Sequence, residues 1–87
     1  MYVAQKNVQP ANEEEIYREL GNGIILQAVR DYRKALKKLT KFPEDEVSKY
    51  TKREVERFFR SSLYSAITDI PPEMLIKKLN EEVNDYE

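Results

Sequence analysis

Apolar side chains recur every three or four positions through the middle of this chain, with basic ones between them. At 100° per residue, Ile25, Ala28, Val29, Tyr32, Leu36 and Leu39 share one side of a helix, while Arg30, Arg33, Lys34, Lys37 and Lys41 share the other. A second stretch repeats the arrangement, with Val47, Thr51, Val55 and Phe58 set against Lys49, Arg53, Arg57 and Arg60. The spacing predicts two consecutive amphipathic helices. In the first, the apolar steps alternate between four and three, which is a heptad seam, but the run is too short to specify a coiled coil. Ala28 and Ala35 lie beside that seam, and their small side chains admit a close helical neighbour from the same chain or from a second subunit.

The flanking segments extend the pattern. Asn12 before Glu13, Glu14 and Glu15 reads as an N-cap with carboxylates at the positive end of a helix dipole, and Ile16, Tyr17 and Leu20 form the apolar edge of that helix. Gly21, Asn22 and Gly23 are expected to interrupt it, by a full break or by a kink. Pro43 ends the long helix or opens the next, which begins near Glu44 and runs to Arg60. Ser61 and Ser62 mark a cap or a bend, after which Phe59, Leu63, Ile67 and Ile70 continue the apolar series. Asp69 to Pro72 stops it, because a proline ring disfavours helical geometry in the residue before it. A last helix follows from Pro72, with Leu75, Ile76, Leu79, Val83 and Tyr86 inward. No segment alternates with period two. The expected fold is all-α, a compact bundle of four to five helices over residues 12–87, preceded by a flexible N-terminal arm over residues 1–11.

Composition narrows the chemistry. With 87 residues the chain has room for one domain with a thin core. It contains neither cysteine nor histidine, which removes disulfides, thiol nucleophiles, ordinary zinc sites and imidazole general acid–base catalysis. No apolar run approaches a membrane span, and Met1 to Pro10 has no stretch like that of a signal peptide, so the expected location is the cytoplasm of the host cell. The net charge is −1, yet the charges are sorted. Residues 1–29 carry two basic and four acidic side chains, residues 30–60 eleven and six, and residues 61–87 two and six. A basic middle between acidic ends can bind an anionic partner or neutralise its own termini within the fold.

Four stretches resemble a known group: Gln27 to Leu39 (QAVRDYRKALKKL), Glu56 to Ser61 (ERFFRS), Thr68 with Asp69, and Leu75 to Leu79 (LIKKL). Together they are similar to a family of small uncharacterised helical proteins encoded in prophages and integrative elements of Gram-positive bacteria. The chain departs from the family pattern at Leu63 and Tyr64, where an aromatic pair is usual, and at Pro71 and Pro72, where an aspartate and a glycine usually make the turn. The resemblance implies a mobile-element origin and a small helical accessory protein. It brings no activity with it.

Catalytic and cofactor readings fare poorly on the residues themselves. Ser48 and Lys49 are adjacent, so on a helix they diverge by 100° and do not readily share a proton. Glu13 to Glu15 are explained by helix capping, and Gly21-Asn22-Gly23 lacks the length and the lysine of a phosphate loop. The expectation is therefore a protein that is not an enzyme, has no cofactor or metal, and binds a host macromolecule. A host protein comes first, with the chain as a modulator or anti-defence inhibitor. The alternative is nucleic acid, held along a ridge of Arg30, Lys34, Lys37 and Lys41 extended by Lys49, Arg53, Arg57 and Arg60 if the two helices lie side by side. Arg57 and Arg60 have a simpler use, pairing with Glu54, Glu56 or the acidic C-terminal segment. Imitation of a phosphate backbone by the acidic ends is a further route to a protein target, and a homodimer through Ile25, Val29, Tyr32 and Leu36 is a third form of association.

Overall fold

A computed structural model describes residues 12–85. The N-terminal arm expected over residues 1–11 lies outside them, as does Tyr86, and the side-chain roles expected between positions 12 and 20 lie outside the described side chains. Four helices follow in order: α1 (Asn12–Lys41), α2 (Glu46–Phe59), α3 (Ser62–Ile67) and α4 (Pro72–Asp85). Among the described residues there is no strand, and the all-α bundle expected from the periodicity is what forms. No helix is long and apolar enough to cross a membrane.

Local chemistry sets the boundaries. The α1 helix ends at Lys41, just ahead of Pro43, and the four-residue link to α2 turns the chain back so that the two helices are antiparallel neighbours. Asp45, in extended conformation, is the N-cap of α2, its carboxylate accepting from the Ser48 amide at 2.9 Å. Ser61 does the same for α3, accepting from the Tyr64 amide at 3.2 Å. Pro72 occupies the first position of α4, where its missing N–H leaves no bond unmade.

With α1 as the spine, each of the other helices packs against it, α2 most extensively. The core consists of Val29, Tyr32 and Leu36 from α1, Val55 and Phe59 from α2, Tyr64 from α3, and Ile76, Leu79 and Val83 from α4. Tyr32, Phe59 and Tyr64 stack edge to face in sequence, with ring centroids 5.8 Å and 5.7 Å apart. Phe58 sits at the margin, partly buried and perpendicular to Tyr64 at 6.0 Å. Neighbouring phenylalanines thus divide as their helical divergence requires: Phe59 enters the core and Phe58 borders it.

Several expectations are corrected. The helix does not break at Gly21-Asn22-Gly23; α1 is continuous through it. Two glycines lower helix propensity by about 2 kcal/mol together, a deficit that packing across the segment outweighs. Gly21 is buried where α3 meets α1, and a Cβ placed there would lie 2.7 Å from Cγ2 of Ile67. This glycine is a contact residue and not punctuation. Val47 belongs to the surface at 73% exposure, and the buried face of α2 begins instead at Ser48. Leu63 and Ile70 are also exposed, and Tyr64 takes the inward place on α3. Finally, Val29, Tyr32 and Leu36 are buried in the chain's own core with Ile25 packed beside them, so a homodimer through this seam would require opening the bundle.

Candidate interaction surface

The eight basic residues expected to form one ridge divide into two groups on different sides of the molecule. On α1, Arg30, Lys34, Lys37 and Lys41 fall within an arc of about 60° pointing away from the core, and all four are exposed. On α2, Val55 and Phe59 are buried in the core with Tyr32 and Glu56 accepts from its hydroxyl, while Val47, Ser48, Thr51, Glu54, Val55 and Phe58 line the grooves along α1. Lys49, Arg53, Arg57 and Arg60 occupy the far side of that helix. The helices do lie side by side, but the basic faces diverge, and no continuous stripe results.

Most of the α2 group is also engaged within the chain. Lys49 Nζ lies 3.1 Å from Glu44 and 3.8 Å from Glu46, and Arg57 lies 3.2 Å from Glu54. Arg60 donates twice to Glu73, at 2.6 Å and 3.0 Å, and sits 3.7 Å from Glu56. The Arg60–Glu73 fork ties the end of α2 to the start of α4, and holds the Glu73 carboxyl below and the Arg60 guanidinium above their ordinary ranges. A second fork, from Arg33 to Glu82 at 2.8 Å and 3.0 Å, ties α1 to α4 and lowers the Glu82 carboxyl in the same way. Part of the acidic C-terminal segment is therefore occupied in neutralising the basic middle, which weakens the idea that it imitates a phosphate backbone. Arg30, Lys34, Lys41 and Arg53 have no ion pair among the described residues.

Sequence reasoning missed a polar knot beneath this surface. The Tyr32 hydroxyl donates to Glu56 Oε2 at 2.6 Å and accepts from Asn80 Nδ2 at 3.1 Å, while Lys52 Nζ also donates to Glu56 Oε2 at 2.9 Å. Three helices meet at one fully buried tyrosine. Burial, and then the hydrogen bond to Glu56, push the Tyr32 hydroxyl well above the ordinary tyrosine range. Burial pushes the Glu56 carboxyl up, but the hydrogen bonds from Tyr32 and Lys52 and the nearby Lys52 and Arg60 charges outweigh it, and its pKa is lowered. The heptad seam identified Tyr32 as core but carried no sign of its hydroxyl's partners, which stand 24 and 48 residues away.

Also missed was Lys38. It lies about 40° from Lys34 around α1, so the periodicity could have found it. Its ammonium stands 5.8 Å from the centroid of the exposed Phe42 ring. Lys38 borders an open groove of 530 Å³ beside Lys34, Lys41, Phe42 and Val83, and a second of 340 Å³ between α1 and α2 beside Lys34, Val47 and Thr51. Asp31 connects the latter to another 340 Å³ groove, lined by Ile24, Gln27, Ala28, Glu54, Val55 and Phe58. Along the outer α1–α2 face these two grooves adjoin at Asp31 and together make a furrow, lined by Ile24, Ala28 and Phe58 at one end and by Lys34, Lys38 and Val47 at the other. Asp31, in the middle, accepts from Gln27 at 2.9 Å.

The Ser48–Lys49 pair has a structural explanation. Ser48 is buried at the α2 cap, hydrogen-bonded to Asp45, and Lys49 points to Glu44. No protein-family model matches the chain, and no curated protein or solved structure matches it significantly.

Proposed function

We propose that this chain is a non-enzymatic accessory protein of the mobile-element kind it resembles, acting in the host cytoplasm by binding a host protein. The observation that carries this reading is the furrow between α1 and α2, where Val47 stands exposed beside Lys34 and Lys38 at one end and Ile24 stands exposed at the other. An apolar floor with exposed positive charge at its rim suits a protein surface, since protein interfaces combine an apolar centre with a polar edge. Nucleic acid is less well served. The divergence of the two basic faces reduces the expected ridge to its α1 part, Arg30, Lys34, Lys37 and Lys41, with Lys38 beside it.

The test is a pull-down from lysate of a Gram-positive host, with and without nuclease, using the wild type and a Lys34→Glu, Lys38→Glu double variant. A protein captured through nuclease treatment by the wild type and lost by the variant is the expected result. Capture that disappears with nuclease would overturn the reading in favour of nucleic acid. In that case affinity should also fall steeply with salt, with a logarithmic slope of about −0.9 per phosphate contact.

A further inference from the structure

We infer that the partner segment seated in the α1–α2 furrow is an amphipathic helix with carboxylates clustered at one end. The inference rests on the protein-binding reading above and adds the chemistry of the occupant. From Ile24 to Lys38 the furrow follows α1 for fifteen residues, about 21 Å or four helical turns. Its walls are two antiparallel helices, and the surface they offer is rows of side chains with grooves between, which a third helix fills by ridge-into-groove packing. Among the described residues no strand edge is available for an extended peptide to pair with.

The molecule already shows what kind of helix the opposite side of α1 accepts. There α4 presents Ile76, Leu79 and Val83 to the core, at spacings of three and four, and brings Glu73 and Glu82 to Arg60 and Arg33. The open side repeats these terms. Ile24, Ala28 and Phe58 offer apolar surface at one end, Val47 stands exposed at the other, and Lys34 and Lys38 supply positive charge next to it. Charge complementarity then places the occupant's carboxylates over Lys34 and Lys38 and its aliphatic side chains over Ile24 and Phe58.

The probe is a synthetic helix of about 14 residues, matched to the furrow, with leucines at i, i+3 and i+7 and glutamates grouped at one end, made in both orders. It is titrated into the isotopically labelled full chain and followed by amide chemical shifts. A charge-reversed peptide carrying lysines for the glutamates, and a short DNA duplex, are titrated in parallel. The expected result is that one glutamate peptide shifts amides of Ile24, Ala28, Asp31, Lys38 and Thr51. The Lys34→Glu, Lys38→Glu variant should bind it at least about tenfold more weakly, and the lysine peptide should recover affinity for that variant. Both substitutions lie on exposed positions, so an unchanged amide spectrum elsewhere reports that the fold is intact. Absence of furrow shifts, or equal binding of the glutamate peptide by wild type and variant, overturns the inference. If a nuclease-resistant host protein is nevertheless captured regardless of Lys34 and Lys38, the inference falls and the protein-binding reading survives. Shifts produced only by DNA, at Arg30, Lys34, Lys37 and Lys41, overturn both.

Discussion

Two buried tyrosines show how differently the same side chain can be used. Tyr32 has its hydroxyl held by Glu56 and Asn80, whereas the Tyr64 hydroxyl is buried with no hydrogen-bond partner among the described residues. Leaving a buried polar group unpaired costs about 1–3 kcal/mol, while removing a well-bonded one strands its partners. Tyr64→Phe should therefore leave stability unchanged or raise it by up to about 1 kcal/mol, and Tyr32→Phe should lower it by about 1–3 kcal/mol, as read from urea midpoints at constant slope. A lower midpoint for Tyr64→Phe would mean that its hydroxyl has a partner. Glu56 adds a pH dependence. Its carboxyl is held below the ordinary glutamate value of 4.5 in the folded state. The stabilisation it contributes is thus fully present above the unfolded-state value and is lost as pH falls through the folded one. Asp45, Glu73 and Glu82 are shifted in the same direction. The thermal midpoint should fall on acidification below about pH 4.5, and Glu56→Gln should be less stable at neutral pH but lose less on acidification. An equal acid loss in wild type and variant would remove Glu56 from this account.

At the scale of elements, the two glycines of α1 make opposite demands on the same helix. Gly23 has open space around the position a Cβ would take, while Gly21 faces Ile67 of α3 at 2.7 Å. Glycine in a helix interior is about 1 kcal/mol less favourable than alanine. Gly23→Ala should therefore raise stability by about 0.4–1 kcal/mol, and Gly21→Ala should bring no gain or a loss. Ile67 is β-branched and stiff at χ1, so its Cγ2 does not swing aside without displacing the backbone. In an Ile67→Ala background the Gly21→Ala substitution should recover the gain, and a double-mutant cycle measures the coupling. Additive effects would show that α3 does not approach α1 as described.

For the whole molecule, the decisive fact is that one long helix serves as the wall for every other element. Leu36, buried among side chains from the other helices, is central to that arrangement. Leu36→Glu should destabilise the monomer by about 3 kcal/mol or more, by an amount independent of protein concentration. A loss that depended on concentration would instead indicate a subunit interface at the seam, because association makes apparent stability follow mass action. The charge distribution belongs to the same scale. The net charge is −1 because 15 basic side chains face 16 acidic ones; the arginine–glutamate forks bring part of the acidic end onto the basic middle, while Arg30, Lys34, Lys38, Lys41 and Arg53 are among the basic residues without a salt bridge among the described residues.

The chain by itself determined what depends on neighbours three or four residues apart. The amphipathic periodicity predicted the part of α1 from Ile24 onward, α2 and α4, and the inward places of Val29, Tyr32, Leu36, Ile76, Leu79 and Val83. Pro43, Ser61 and Pro72 marked where helices stop and start, because ring geometry and hydroxyl capping act within one turn. The tertiary structure decided everything that depends on how one helix lies against another. Gly21-Asn22-Gly23 looks like a break because propensity is local, and it stays helical because α3 packs on it. Val47 has the hydrophobicity of a core residue, but a rotation of α2 places Ser48 inward instead. The eight basic residues share a pattern in sequence and not a face in space, since each helix points its polar side away from the common core and two antiparallel neighbours therefore point theirs apart. The furrow between them, with Ile24 and Phe58 at one end and Lys34 and Lys38 at the other, exists only once that packing is made.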